Sequence, residues 1–245
     1  MPQSFTAVAI IPARLGSTRL PRKVLREIAG KPMIAHVYEA ARKSPLLRDV
    51  IIATDSEEVL EVAHANGWKA EMTSTQHRSG TDRVYEVAQR IKADVYVNIQ
   101  GDEPLARPEH LEALLGLMGD GKVLVSTIKT PCPPQDVNNP NAVKVVTDKN
   151  GRALYFSRST IPFDRERSGM IDYFKHLGFY AYRKAALEHF CSLPESQLEA
   201  VERLEQLRFL ENGTDIYVAE TPFNTVGVDT EDDLQRVEKM ILNGL

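Results

Sequence analysis

Residues 13–23 read Ala-Arg-Leu-Gly-Ser-Thr-Arg-Leu-Pro-Arg-Lys, and residues 13–31 carry six basic side chains (Arg14, Arg19, Arg22, Lys23, Arg26, Lys31) against one acid, Glu27. Gly16, Ser17 and Thr18 offer small residues and hydroxyls that let a polyphosphate approach, and Arg14, Arg19 and Lys23 are suited to neutralise it. The spacing is neither GxGxxG nor GxxxxGK followed by Ser or Thr, which argues against a dinucleotide fingerprint or a Walker A loop. A solvated basic loop is the other reading. Residues 95–103 alternate as a buried strand and end in Gly101-Asp102-Glu103. A carboxylate there, at Asp102, suits a Mg²⁺ that carries triphosphate oxygens, because magnesium takes one or two protein carboxylates and fills its shell with water and phosphate. Gly-Asp-Glu-Pro is equally a strand-ending turn. Asp229, within Val228-Asp-Thr230, adds a second acid just before a helix, where Asp and Thr also serve as caps.

Two further polar groups have the right chemistry for substrates. Ser79-Gly80-Thr81-Asp82-Arg83 opens a helix, and such an N-terminus takes a base edge, a ribose hydroxyl or a phosphate, or is a plain cap. Arg158 suits bidentate pairing with a carboxylate, and His176 suits donation to hydroxyls. A lone His beside an apolar strand is more often a satisfied core group. Glu205 and Gln206 lie beside an apolar stripe, where a solvated flank is the default.

The elements that must position these groups follow from hydrophobic periodicity. Strands are predicted at Val8 to Pro12, Val50 to Ala53 and Val95 to Gln100, and helices at Met33 to Arg42, Ser56 to Asn66 and Thr81 to Ile91, with Gly67 as a C-cap. This alternation reads as βαβ units and a parallel sheet, whose strand ends are where open α/β sheets bind ligands. From about Thr130, prolines at 131, 133, 134 and 140 change the texture. Short strands are predicted at Val143 to Thr147, Ala153 to Phe156 and Gly178 to Tyr182, with a turn at Lys149 to Gly151. They form a smaller, largely antiparallel subdomain built onto the sheet. A helix is predicted from Leu198 to Leu210 with Leu198, Val201, Leu204 and Leu207 on its apolar stripe, and a closing helix begins at Thr230 with Leu234, Val237 and Ile241 inward. The whole is read as a single domain, 1–245, with 1–130 mainly nucleotide-binding, about 131–215 the smaller subdomain, and 216–245 the closing strand and helix.

Composition bounds the partners. The chain has 245 residues, 34 acidic and 30 basic, for a formal net charge of −4, which gives no global reason to bind nucleic acid. Its 42% hydrophobic and 26% charged residues are ordinary for a soluble globular protein. Two distant cysteines, Cys132 and Cys191, make neither a zinc site nor a disulfide scaffold, and fit a reducing cytoplasm. No signal peptide or membrane span is read from the sequence, and no internal repeat.

The blocks Ile-Pro-Ala-Arg-Leu-Gly-Ser-Thr-Arg-Leu-Pro-Arg-Lys (11–23), Ala-Thr-Asp (53–55), His-Arg-Ser-Gly-Thr-Asp-Arg (77–83), Asn-Ile-Gln-Gly-Asp-Glu-Pro (98–104), Asn-Pro-Asn-Ala-Val-Lys-Val-Val (139–146), Ala-Leu-Tyr-Phe-Ser-Arg (153–158), His-Leu-Gly-Phe-Tyr-Ala-Tyr-Arg (176–183), Leu-Glu-Gln-Leu-Arg (204–208) and Val-Asp-Thr (228–230) run in order over nearly the whole chain. Together they closely resemble the CMP-Kdo synthetase family, the 3-deoxy-manno-octulosonate cytidylyltransferases. The resemblance implies an α/β fold, a Rossmann-like nucleotidyltransferase sheet with helices on both faces and a smaller antiparallel subdomain for dimerisation and sugar binding. It also implies a cytoplasmic homodimer that joins CTP to the acidic sugar Kdo, giving CMP-Kdo and pyrophosphate for the lipopolysaccharide inner core. Carried over by residue, Arg14 and Lys23 clamp the triphosphate with Ser17 in the same loop, and Ser79, Gly80 and Arg83 help form the nucleotide pocket. Gln100 faces the reacting groups, Asp102 and Asp229 match the magnesium carboxylates, and Arg158, His176, Tyr180, Glu205 and Gln206 match the region lining the sugar site.

The chain also departs from the family pattern. The family loop commonly reads Arg-Leu-Pro-Gly-Lys-Pro-Leu, and here Arg22 and Val24 replace the glycine and the second proline, adding charge and removing a flexible position. The stretch Arg165 to Asp172 is several residues shorter than in many relatives. An amino-substituted Kdo or another acidic nonulosonate is the alternative acceptor, and a non-catalytic nucleotide-binding relative is the alternative from another class.

Overall fold

The computed structural model describes residues 5–16 and 19–244. The chain divides into two compact units, Met1–Glu112 with Thr225–Leu245, and Ala113–Asn224. The second unit thus begins well before the change of texture near Thr130.

In the first unit, strand β1 (Ala7–Pro12) is followed by a two-residue ribbon of β2 (Glu27–Ile28) and β3 (Lys31–Pro32), then helix α1 (Met33–Arg42) and strand β4 (Asp49–Thr54). Helix α2 (Glu57–Ala65), strand β5 (Ala70–Met72), helix α3 (Gly80–Arg90) and strand β6 (Val95–Asn98) complete the alternating run. The side-by-side order is β6-β1-β4-β5, and every pairing is parallel. The chain builds outward from β1 through β4 to β5, then crosses back by α3 to place β6 on the other side of β1. That reversal makes the carboxyl ends of β1 and β6 the topological switch point, where a ligand crevice opens in sheets of this type. Val8, Ala9, Ile10 and Ile11 are buried on both faces, as are Val50, Ile51, Ile52 and Ala53, which explains their unbroken apolar runs. The helices match their sequence signals: Ser56 caps α2 by accepting from the Val59 N–H, and Gly67 takes the left-handed φ of +70° just beyond it.

Helix α4 (Pro108–Gly116) leads to the second unit, whose strands are β7 (Val125–Pro131), β8 (Lys144–Thr147), β9 (Ala153–Ser157), β10 (Phe174–Arg183) and β11 (Tyr217–Glu220). Strands β7 and β10 pair antiparallel, as do β8 and β9, while β11 runs parallel to β7. Strand β10 is much longer than the predicted Gly178 to Tyr182, because a register shift between Leu177 and Tyr180 lets pairing with β7 resume beyond the glycine. Helix α5 (Lys184–Ser192) follows β10 directly.

The single helix predicted from Leu198 to Leu210 is two: α6 (Gln197–Glu202) and α7 (Leu207–Glu211). Arg203 between them is left-handed at φ +53°, and the carbonyls of Glu202 and Arg203 are taken by the guanidinium of Arg158 instead of by later N–H groups. The stripe breaks with the helix. Leu204 and Leu207 are buried, whereas Val201 is 77% exposed. Glu199 and Arg208 hold the two pieces together through two hydrogen bonds of 2.7 and 2.6 Å, with the guanidinium 4.0 Å over the Phe190 ring.

The closing helix α8 (Glu231–Leu242) forms as expected, with Thr230 and Asp233 in a reciprocal capping box. Its Leu234 and Val237 join Leu20, Ile28, Met33, Leu105 and Val228 in a buried cluster, with Ile241 partly buried against it.

Gly101 is the most closely approached of the described glycines in the first unit. A Cβ there would lie 2.9 Å from the Pro12 carbonyl oxygen and 3.1 Å from Ile34 Cδ1. Gly101→Ala is expected to lower unfolding free energy by about 1–3 kcal/mol in chemical denaturation. Gly116→Ala, in open helical space, is the control and gains about 0.5–1 kcal/mol. Equal effects of the two substitutions would contradict this packing.

Candidate active site

The switch point gathers the charged residues that the sequence singled out. Backbone hydrogen bonds run from Ile99 N–H to the Ile10 carbonyl and from Gly101 N–H to the Pro12 carbonyl, so the segment after β6 lies along the end of β1. Asp102 follows at once. Its carbonyl accepts from Val228 N–H at 2.9 Å, which brings the segment leading into α8 alongside and with it Asp229. Glu103 reinforces the same join, because its Oε2 accepts from Thr225 Oγ1 at 2.7 Å.

Lys23 sits between the two acids. Its Nζ donates to Asp102 Oδ2 at 2.5 Å and to Asp229 Oδ1 at 2.9 Å, and the side chain is only 13% exposed. Burial alone would lower the ammonium's pKa, but the charges and hydrogen bonds of Asp102 and Asp229 together outweigh it and hold the pKa above its ordinary value. Arg19 approaches the other Asp229 oxygen at 3.2 Å. Asp229 therefore faces two cations, and the capping role falls to Thr230. Arg14 is exposed at the end of β1 and pairs with no described residue, leaving a cation free for an anion. Ser17 lies outside the described residues. Arg22 adopts the left-handed φ of +57° and pairs with Glu58 of α2.

A pair of carboxylates already sharing one cation is a donor set that a magnesium ion fits, with water and phosphate oxygens for the rest of its octahedron. Among the described residues no cluster of three or more His, Cys, Asp or Glu side chains offers a fuller metal cage.

The wall beside this centre is built by α3. Ser79 caps it in a reciprocal box with Asp82, so its hydroxyl is used locally. Gly80 leaves room for Gln100: a Cβ there would lie 3.1 Å from the Gln100 amide nitrogen, which donates to Asn98 Oδ1. Arg83 is buried, donating to Asp55 Oδ2 at 2.7 Å and to the Thr73 hydroxyl. It is held as a structural strut, and the Ala-Thr-Asp block supplies its partner. Asn98, Glu103, Asp55 and Thr225 escaped the sequence reading as separate contributors, since each acts through a partner remote in sequence.

The second unit holds the other predicted group. His176 is buried, with Nε2 at 2.9 Å from Thr127 Oγ1, the Phe156 ring edge-on at 5.0 Å and the Tyr180 ring at 5.3 Å. Burial pulls its pKa from 6.5 down to about 3, so the ring is neutral. His176, expected to donate to substrate hydroxyls, has its Nε2 already engaged with Thr127. Burial, with help from Tyr182 and Glu205, pushes the Tyr180 phenol well up, which places Glu205 in the same neighbourhood. Tyr180 Oη and Gln206 Nε2 are buried and have no hydrogen-bond partner among the described residues. Arg158 does not present its guanidinium for a carboxylate. It donates to the carbonyls of Glu202, Pro140 and Arg203, while its N–H and the Ser157 hydroxyl are accepted by the Glu202 carboxylate. Beside it, the buried Lys144 donates to the carbonyls of Asn139, Ala142 and Arg158, so both cations are structural struts.

The neutral His176 has a stability consequence. Its folded pKa lies below the unfolded value, so the unfolded chain takes up a proton that the folded chain refuses. Stability from this site is complete above about pH 6.5 and is lost as pH falls toward 3, by up to about 1.4 kcal/mol per pH unit. The slope of unfolding free energy against pH between 4 and 6 should be shallower in His176→Gln by close to one proton; identical slopes would contradict a buried neutral ring.

Residues 8–216 match the family profile described as Cytidylyltransferase. A 3-deoxy-manno-octulosonate cytidylyltransferase of Koribacter versatilis is 68% identical over 96% of this chain and 90% of its own length. One of Acidobacterium capsulatum is 61% identical over 98% of each. A solved CMP:2-keto-3-deoxy-manno-octonic acid synthetase, complexed with CTP, superposes with a TM-score of 0.93 at 44% identity, covering 98% of this chain and all of the other. With full-length identity of this order and the same fold, the chain belongs to the 3-deoxy-manno-octulosonate cytidylyltransferase family.

Proposed function

We propose that this chain transfers CMP from CTP to Kdo, releasing pyrophosphate and supplying CMP-Kdo for the lipopolysaccharide inner core. The observation that carries this reading is Lys23 held between Asp102 and Asp229 at the switch point, with the exposed Arg14 just beyond the end of β1. Such a centre balances a triphosphate. Similarity to a synthetase solved with CTP supports cytidine as the base.

Asp102 and Asp229 would hold Mg²⁺, which when bound neutralises phosphate charge and makes the attacking hydroxyl more acidic. Arg14 and Lys23 bind the phosphate oxygens and stabilise charge that grows on the departing pyrophosphate. The α3 N-terminus, Gly80 and Gln100 form the nucleotide wall, and Arg83 keeps that wall rigid through Asp55 and Thr73. The residues that the family resemblance assigns to the acceptor sugar lie in the second unit. Tyr180 Oη and Gln206 Nε2, two buried groups that can donate, match the oxygens of an acidic sugar. The anomeric hydroxyl oxygen of Kdo bonds to the α-phosphorus, the bond from that phosphorus to the bridging oxygen of pyrophosphate breaks in line, and the hydroxyl proton leaves to solvent. No side-chain nucleophile is required, and positioning of two anions supplies much of the rate.

We also assign the protein to the cytoplasm, with CTP, and to a homodimer formed through the second unit, where Phe163, Met170 and Val201 expose large apolar surfaces. No helix among the described residues is long and apolar enough to cross a membrane.

A pyrophosphate-release assay with CTP, UTP and ATP, offered Kdo or its 8-amino analogue with and without Mg²⁺, tests the reading. The expected result is turnover that needs CTP, Kdo and the metal together, from a protein that sediments at twice the chain mass. Asp102→Asn and Asp229→Asn should each lower kcat at least about a hundredfold without unfolding the protein. Near-normal rates at saturating Mg²⁺ would remove the metal assignment, and preference for the amino sugar by kcat/KM would change the acceptor.

A further inference from the structure

Thr127 lies on β7, buried, with three polar atoms hydrogen-bonded to its hydroxyl and the Tyr180 phenol beside it. Oγ1 is 2.7 Å from the Phe179 carbonyl oxygen, 2.9 Å from His176 Nε2 and 3.4 Å from the Leu177 carbonyl oxygen. A threonine hydroxyl has one hydrogen to give and lone pairs to receive. The carbonyl oxygens can only accept, and the shortest contact, to Phe179, claims that hydrogen. Oγ1 then meets His176 with a lone pair, so the proton between them must belong to Nε2. The ring is neutral in its buried setting, and a neutral imidazole has one N–H. Nδ1 is left bare.

The surroundings fix this arrangement. The Phe156 and His176 rings meet edge to face at an interplanar angle of 78°, and Tyr180 packs on the ring from another side. The Phe179 carbonyl lies within the register shift of β10, between Leu177 and Tyr180. The irregularity that lengthens β10 therefore also orients the hydroxyl that orients the histidine.

We propose that Thr127 is a positioning residue that holds His176 in the Nε2–H tautomer, so that His176 meets the acceptor sugar as a hydrogen-bond acceptor at Nδ1 and selects a sugar hydroxyl there, not the carboxylate. This rests on the reading of His176 as part of the acceptor site. A carboxylate facing Nδ1 would set lone pair against lone pair, and protonating the ring to receive it would put a charge where burial opposes one. The sugar's acidic group is then left to donors such as Gln206 Nε2, buried and unpartnered among the described residues, and Tyr180 Oη, whose neighbour is the Thr127 hydroxyl.

The test uses the full chain with ¹⁵N-labelled histidine. Two-bond proton–nitrogen correlation spectra of the ligand-free protein report which ring nitrogen carries hydrogen. Wild type and Thr127→Ser, which keeps the hydroxyl, are expected to show His176 protonated at Nε2 and bare at Nδ1. Thr127→Val is expected to shift the ring toward the other tautomer and to raise KM for Kdo about tenfold, with KM for CTP within about twofold, and Thr127→Ser to restore both. A wild-type ring protonated at Nδ1 would overturn the proposal, as would a Thr127→Val protein with unchanged spectrum and unchanged KM. A changed spectrum with an unchanged KM for Kdo would overturn the hydroxyl contact. Should Thr127→Val fail to fold, the wild-type and Thr127→Ser spectra decide the tautomer. Absence of turnover with CTP and Kdo in a wild type that shows the expected tautomer would instead defeat the proposed function and leave the role of Thr127 toward the ring standing.

Discussion

The ammonium of Lys23 lies between carboxylates 79 and 206 residues away in the chain, and the geometry of the first unit serves to keep all three groups together. Without the cation, Asp102 and Asp229 would confront each other across a partly buried gap. With it, each charge is balanced before any substrate arrives. The rest of the unit reads as support for that arrangement: Gly101 lets the chain pass against Pro12, the Asp102 carbonyl holds Val228, and Glu103 holds Thr225. Helix α8 is tied back to the basic segment by Arg26 pairing with Glu231 and by Ala29 N–H donating to Glu238. Burial of Leu234 and Val237 against Leu20, Ile28 and Met33 supplies the apolar part of the same join.

The second unit solves a different problem, which is how to keep polar groups inside an aromatic core. Tyr180, Tyr182, Phe209 and Phe190 form a run of ring contacts between 5.1 and 6.0 Å. His176 enters this run neutral, with one nitrogen on Thr127. Arg158 and Lys144 donate to backbone carbonyls, which satisfies the chain where it leaves regular structure around Asn139 and Arg203. Tyr180 Oη and Gln206 Nε2 are among the exceptions, and buried polar groups without a full set of partners are what a polar ligand would complete.

Much of the first unit was legible in the residues because its signals are local. Met33 to Arg42 forms the predicted helix to the residue, and the capping residues Ser56, Ser79 and Thr230 stand where the chain starts to turn. The family resemblance points to Lys23, Asp102 and Asp229, which the structure brings together. What local pattern misses is the choice each side chain makes among remote partners. Arg158 looked like a carboxylate receptor and is spent on carbonyls. The Leu198 to Leu210 stripe had helical spacing throughout, yet carbonyls claimed by Arg158 end the helix at Glu202, and Val201 turns to solvent. Thr127 carried no signal, since nothing in a β-strand threonine tells which residue across the sheet it will meet.

The central claim is that Lys23 and the two acids act as one unit, and a double-mutant cycle on unfolding free energy measures it most directly. Lys23→Met, Asp102→Asn and their combination, measured by chemical denaturation in the ligand-free protein, should give a coupling of about 1–3 kcal/mol, because the ammonium loses its reason to be buried once the acid is neutralised. A coupling indistinguishable from zero would mean that Lys23 and Asp102 are neighbours without being partners, and would contradict the account.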